Sequence, residues 1–210
     1  SLGLLAGHTQ YFPGFAVLMG LAQGVAVAVR PAKEPVSRLV FEGEGQEWTW
    51  KEAGDAAGWP VWSCLVHRLV EDASLGSSVE VAVVSTVPPA CIDAYLSALG
   101  MACEGALQSM REGDASQQDG SSSRELSIDA VHAATVHCEG FETSIAYPLA
   151  VHAADTPNFT LADTKTREHL ALEAPSREKV GWGLVTLQQP VLRDAEFHRE
   201  RAILARRALN

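Results

Sequence analysis

The apolar residues of this chain change their spacing along the sequence, and this change constrains the fold more than any single motif does. From Gly24 to Arg30 valines alternate with alanines, a period of two that predicts a strand ended by Pro31. Between Trp59 and Val70 the apolar residues recur at helical spacing, after Pro60, a residue suited to a first helical turn. Strands and helices therefore follow one another in one chain, which predicts a mixed α+β domain.

The same patterns predict the other elements. The strands are expected at Leu2–Ala6, Phe15–Leu21, Gly24–Arg30, Ser37–Glu42, Val79–Val87, Phe159–Thr164, Leu170–Glu173 and Gly181–Leu187. The first four are expected to form an antiparallel meander. The helices are expected at Trp59–Val70, Ile92–Leu107, Ile128–His137, Ser144–Ala154 and Leu192–Leu209. A polar segment over residues 111–124 is predicted to be a surface loop within a single domain that spans residues 1–210.

Charge and apolar stretches exclude some classes of partner. The chain has 26 acidic and 16 basic residues, a formal net charge of −10, which opposes binding to nucleic acid or to an anionic membrane. Its longest apolar stretch, residues 15–29, is interrupted by Gly20, Gln23 and Gly24, so it does not fit a spanning helix. No targeting peptide is evident. A cytoplasmic protein with soluble partners is expected.

The four cysteines predict neither a zinc site nor a disulfide framework. Cys64, Cys91, Cys103 and Cys138 lack the close spacings of zinc ligands and are few for a stapled fold. They are expected to be buried free thiols in a reducing compartment. His132 and His137 share a predicted helix, but a spacing of five places them on different faces and makes a poor chelate.

The beginning of the chain carries the most distinctive motif. Residues 4–11 read Leu-Leu-Ala-Gly-His-Thr-Gln-Tyr, and residues 14–19 read Gly-Phe-Ala-Val-Leu-Met. Together they resemble the galactokinase signature of the GHMP kinase superfamily. Residues 159–163 resemble that family's Leu-Leu-Ile-Asp strand, and residues 193–209 its Tyr-Asn-Glu-Arg-Arg helix. The resemblance implies a ribosomal-S5-like N-terminal domain, a mixed sheet with helices on one face, with the family's C-terminal domain absent.

The resemblance also assigns a sugar-contact segment and a phosphate loop. His8, Thr9, Gln10 and Tyr11 would contact a sugar, although Gly7 and Gln10 stand where the family has carboxylates. These four side chains could instead satisfy the polar groups of their own loop. The family's glycine-rich phosphate loop corresponds to positions that include Asp93, Ala94, Tyr95 and Ser97. No glycine lies between Pro88 and Leu99, so nucleotide binding in the family manner is not expected.

The family's catalytic aspartate has two alternative counterparts. Alignment on Cys138 places Glu142 there, and a carboxylate at that position could act as a general base. Alignment backwards from Asp163 places Tyr147 there instead.

Three functions follow from the resemblance. The first is a degenerate galactokinase-like domain without phosphoryl transfer, which needs no cofactor and has a binding or assembly role. The second is an active sugar 1-kinase that uses Glu142, ATP and Mg²⁺ and is completed by a second domain or chain. The third is a sugar-binding module built from the His8 loop and the tryptophans 48, 50, 59 and 62, whose default role is packing. A homo- or hetero-oligomer that forms through the terminal helix is also expected.

Overall fold

The computed structural model describes residues 2–5, 13–42, 45–51, 56, 58–87, 91–115, 127–140, 143–153 and 159–173, with residues 2–5 and 113–115 described for the backbone. The strands are β1 (Leu2–Leu5), β2 (Phe15–Met19), β3 (Val25–Pro31), β4 (Ser37–Phe41), β5 (Glu47–Trp50), β6 (Val79–Ser85), β7 (Phe159–Asp163) and β8 (Glu168–Leu172). The helices are α1 (Val61–Ala73), α2 (Ile92–Ala115), α3 (Ile128–Glu139) and α4 (Ala146–His152). The expected α+β class is confirmed.

The strands form two sheets of four. The first has the order β1-β2-β7-β8 and is antiparallel throughout. The second has the order β3-β6-β4-β5 and is mixed, because β6 runs parallel to β4 and antiparallel to β3. The predicted meander of the first four strands was therefore wrong beyond the β1–β2 pair. Helix α1 carries the chain back across the sheet, so that β6 lies between β3 and β4.

The alternating burial of residues along β6 explains its position between two other strands of the second sheet. Val79, Val81 and Val83 are buried, whereas Glu80 and Val84 alternate with them on the opposite face. Strand β4 has the same pattern, with Leu39 and Phe41 buried and paired to β6. Both strands direct these residues into the larger core, which they share with α1, α2 and α3.

A smaller core joins the fourth helix to the first sheet. It contains Ala16 and Leu18 of β2, Ala162 of β7, and Leu149 and Ala150 of α4. The small side chains let the helix approach the sheet closely, and α4 also packs on α2. Because α2 belongs to the larger core, this contact ties the two sheets together.

The helix boundaries follow local signals. Ser127 caps α3 by accepting a hydrogen bond from the amide of Ala130 at 3.1 Å, and Gly140 ends it with a φ of 72°. Helix α1 begins after Pro60 and ends at Ala73, and the cap residue Ser74 has a φ of 50°. Helix α2 continues to Ala115, so residues 111–115 of the predicted polar loop are helical. The remainder of that loop, the strand predicted at 181–187 and the helix predicted at 192–209 lie outside the described residues.

Two packing expectations have different outcomes. Trp50 is buried, and Trp48, Trp59 and Trp62 pack against the larger core, so the default interpretation of these tryptophans as packing residues is confirmed.

The expectation of four buried thiols was wrong. Cys103 is buried, but Cys64, Cys91 and Cys138 are partly exposed, and Cys91 and Cys138 lie at the margin of the larger core.

Candidate functional site

A small polar cleft lies where α2, α3 and α4 meet. Its lining comes from the first turns of α2, from the middle of α3, and from the segment that leads into α4. The lining residues are Asp93, Ser97, His132, Thr135, Thr143, Ser144, Tyr147 and Pro148. Seven of these eight residues carry a hydroxyl, an imidazole or a carboxyl group, so polar groups predominate in the lining of the cleft.

Hydrogen bonds hold the walls of the cleft in place. The Nε2 atom of His132 lies 2.9 Å from the carbonyl oxygen of Thr143, and since a carbonyl only accepts, the ring donates there. This bond ties α3 to the segment before α4. The hydroxyl of Thr135 donates to the carbonyl of Val131 at 2.8 Å, and that of Ser144 accepts from the amide of Ala146 at 3.2 Å. The walls are therefore set by bonds within the fold.

The positions that match the family's phosphate loop divide into two pairs. Asp93 and Ser97 line the cleft. Ala94 and Tyr95 are 8% and 2% exposed, and Tyr95 belongs to the larger core, so neither is placed to contact a ligand. A helical turn explains this division, because successive residues point in different directions around the axis.

For the other predicted site residues, only neighbours in the sequence can be located in the structure. His8, Thr9, Gln10, Tyr11 and Glu142 lie outside the described residues. Thr143 and Ser144, which follow Glu142 in the sequence, both line the cleft, as does Tyr147, the alternative counterpart of the family's catalytic aspartate.

Sequence reasoning missed four polar residues of the cleft. His132 was considered only as a chelating residue, and Thr135, Thr143 and Ser144 were not considered at all. His132 lines the cleft while His137, on the same helix, is exposed. A run of small polar residues before α4 was the available signal, because buried hydroxyls in such a run need partners.

Thr164 holds the backbone at Gly14, just after the predicted sugar-contact segment, by hydrogen bonds. The hydroxyl of Thr164 accepts from the amide of Gly14 at 2.8 Å and lies 2.9 Å from its carbonyl oxygen, to which it donates. The amide of Thr164 also donates to that carbonyl at 3.0 Å. Gly14 comes three residues after Tyr11, so these bonds join the end of that segment to the turn between β7 and β8.

We expect Thr164→Val to lower the free energy of unfolding by about 1–3 kcal/mol, because valine keeps the shape and removes both hydroxyl bonds. Urea unfolding measures this loss. The matched control is Thr49→Val at an exposed position of β5, expected within about 0.5 kcal/mol of the original chain. Equal effects of the two substitutions would contradict the prediction.

The start of α2 lacks the glycines that are typical of phosphate-binding helix N-termini. Phosphates bind at helix N-termini where glycines allow the backbone amides to approach them. Here Asp93 stands in the first turn and lines the cleft, and its carboxylate would repel an anionic group at this end of the helix. At about 4 Å, two like charges repel by about 1 kcal/mol in water and by about 4 kcal/mol near a protein surface. The buried Tyr95 further fixes this turn against rearrangement.

Solved structures resemble this chain over most of its length. The crystal structure of Lactococcus lactis galactokinase complexed with galactose matches with a TM-score of 0.68 at 14% identity, over 99% of this chain and 54% of that one. The fold is that of the GHMP kinases. The Methanococcus jannaschii mevalonate kinase matches with a TM-score of 0.55 at 8% identity, over 82% of this chain and 53% of that one.

A third similar structure is a D-glycero-D-manno-heptose 1-phosphate kinase from Bacteroides thetaiotaomicron, with a TM-score of 0.54 at 10% identity, over 85% of this chain and 58% of that one. This chain thus spans about half the length of the GHMP kinase structures it resembles. No protein-family model matches it, and no curated protein does. Among the described helices, none has the length and apolar character needed to cross a membrane.

Proposed function

We propose that this chain is a galactokinase-like domain that has lost phosphoryl transfer and has a binding or assembly role. The observation that carries the proposal is Asp93, which lies in the first turn of α2 and lines the cleft. An enzyme that transfers a phosphoryl group must neutralise the phosphate charge, and a carboxylate at this position adds to that charge. The absence of glycine between Pro88 and Leu99 removes the close backbone approach as well.

A binding role is supported by the chemistry of the cleft. Ser97, Thr135, Thr143 and Ser144 are all less than 8% exposed, and each is a small hydroxyl residue. With His132 they form a polar, largely uncharged lining around a cavity of about 10 Å³, room for about one water-sized group, so a single hydroxyl group of a larger neutral ligand such as a sugar would fit there. The Asp93 carboxylate is an acceptor that such hydroxyl groups could use.

An assembly role is supported by the outer face of the first sheet. Paired residues share a face, so Val17, Leu161 and Leu170 lie together, opposite the residues that contact α4. Phe15, two residues before Val17, is 61% exposed, and Leu170 is 58% exposed. Contiguous exposed apolar side chains are typical of interaction surfaces. The terminal helix predicted at 192–209 remains the other proposed contact of an oligomer.

Thermal unfolding with added ligand tests the proposal. A ligand at a hundredfold excess over its Kd stabilises a protein by about 2.7 kcal/mol, which raises the Tm of a chain of this size by roughly 5–10 °C. We expect millimolar Mg-ATP to leave the Tm unchanged and at least one sugar from a panel of hexoses and pentoses to raise it. A clear rise with Mg-ATP would contradict the loss of nucleotide binding.

One observation favours an active sugar 1-kinase as the second candidate. The cleft places the start of α2 beside Thr143, Ser144 and Tyr147, the region of the two alternative counterparts of the family's catalytic aspartate. ATP and Mg²⁺ would then be needed, and Glu142 would accept the proton of the sugar hydroxyl. Turnover of ATP with a sugar that Glu142→Gln abolishes and Glu139→Gln preserves would establish this candidate. Absence of turnover when the original chain is assayed together with the second domain or chain that completes it would reject this candidate.

A further inference from the structure

Two thiols from distant parts of the sequence meet between α1 and α3. The Sγ atoms of Cys64 and Cys138 lie 2.7 Å apart, although the residues are 74 positions apart in the chain. Both residues are partly exposed, unlike the buried Cys103. A disulfide has a sulfur–sulfur distance of about 2.05 Å, so the two atoms need to approach by less than about 1 Å.

We propose that Cys64 and Cys138 form a redox-modification site, in which a low-molecular-weight disulfide of the glutathione class converts the two thiols into a disulfide between α1 and α3. The thiolate of Cys64 attacks one sulfur of the reagent, forms a mixed disulfide and releases one thiolate. The thiolate of Cys138 then attacks the sulfur of Cys64 and releases the second. The two protons lost by the cysteines are taken up by the two released thiols. The reagent gains two electrons, and the cysteine pair loses them.

The surroundings of Cys138 assign the order of these steps. Burial raises the pKa of the Cys138 thiol far above its ordinary value, and the hydrogen bond with Cys64 and the charge of that neighbour raise it further. A thiol attacks only as the thiolate, so Cys138 is a poor first nucleophile. Once Cys64 carries the mixed disulfide, it no longer accepts a hydrogen bond from the Cys138 thiol as a thiolate and no longer bears a charge, so both of these pKa-raising effects are removed. Arg68 also lowers the pKa of Cys138, and Glu139 opposes this effect.

The other two cysteines differ from this pair. Cys103 is completely buried, and burial raises the pKa of its thiol to about 12, which makes it inert to the same reagent. Cys91 is partly exposed at the start of α2 and packs at the margin of the larger core. We therefore expect the disulfide to form selectively between Cys64 and Cys138, because a second thiol lies next to the first there and can displace the reagent.

The bond would fix one wall of the cleft. Cys138 lies on α3 three residues after Thr135, which lines the cleft with His132. A cross-link that closes a long loop restricts the unfolded chain and stabilises the folded one. We expect the Tm to rise by about 5–10 °C on oxidation and to return on reduction with dithiothreitol. This inference does not depend on whether the cleft binds a nucleotide or a sugar.

Mass spectrometry of the full chain after exposure to oxidised glutathione tests the proposal. We expect one disulfide-linked peptide pair that contains Cys64 and Cys138, with Cys103 recovered as a free thiol. Cys138→Ser is expected to accumulate a glutathione adduct on Cys64, whereas Cys64→Ser is expected to leave Cys138 reduced. Cys91→Ser is the control and should form the same bond as the original chain.

Three results would overturn the proposal. The first is recovery of both thiols after oxidation under conditions that oxidise a free cysteine peptide. The second is a bond that involves Cys91 in place of one member of the pair. The third is formation of the expected bond without any rise in Tm, which would remove its proposed effect on α1 and α3. Because the bond is located in the unsubstituted chain, the test holds even where a variant does not fold.

Discussion

Trp50→Ala is expected to lower the free energy of unfolding by about 3–5 kcal/mol, as large-to-small substitutions of buried aromatic residues do. Trp50 is 2% exposed and packs edge-on against Trp59 and His67, with ring centroids 6.0 and 5.3 Å away. Its indole Nε1 donates to Glu71 Oε1 at 3.2 Å. The substitution removes a large apolar surface, two ring contacts and a hydrogen bond that links β5 to α1.

Urea unfolding monitored by circular dichroism measures this loss. Trp50→Phe is the matched control, because phenylalanine keeps most of the apolar ring and loses only the indole N–H and part of the volume. We expect it to cost less than half as much as the alanine substitution. A loss below about 1 kcal/mol for Trp50→Ala would show that β5 contributes little to the larger core.

Gly100→Leu is expected to destabilise the chain by about 3 kcal/mol, the upper range for overpacking in a core. A Cβ atom at Gly100 would lie 2.5 Å from Cγ1 of Val131 and 3.6 Å from Cδ2 of Leu65. Val131 is fully buried and branched at Cβ, so it cannot turn aside without disturbing α3. Glycine here allows the close approach of α2 and α3, although it is a poorer helix former than alanine.

The matched control for this substitution is Ser109→Leu, at an exposed position of the same helix, which we expect within about 0.5 kcal/mol of the original chain. A double-mutant cycle of Gly100→Ala with Val131→Ala isolates the contact. The two substitutions should be less destabilising together than the sum of their separate effects, because the alanine at 131 removes the methyl group that obstructs the one at 100. Simple additivity would contradict the proposed close approach.

Local pattern was sufficient for most of the described elements. The valines of β6 and the apolar spacing of α1 identify their secondary structure, because a period of two or of 3.6 determines which side chains can share a face. Pro60, Ser127 and Gly140 mark helix ends through conformations that these residues favour. Strand β5 was missed, although Trp48 and Trp50 alternate with Glu47 and Thr49, because the tryptophans were considered only as packing or sugar-contact residues.

The candidate site was only partly predictable. Asp93 and Ser97 were singled out by the resemblance to galactokinases, and both line the cleft. His132 and Thr143 were not predicted as residues of the cleft. Their hydrogen bond joins two segments eleven residues apart, and no local sequence pattern indicates such a contact. The sequence motif points to the start of α2 but does not show which neighbouring elements complete the cleft there.

The sequence by itself indicated most of the described strands and helices, and it showed that the start of α2 lacks phosphate-binding glycines. Only the tertiary structure decided that β6 lies between β3 and β4, that α2 approaches α3 at Gly100, and that Cys64 meets Cys138. The physical reason is the range of the interactions. Periodicity and capping act over a few residues, whereas strand pairing and core packing depend on burial summed over segments that are far apart in the chain.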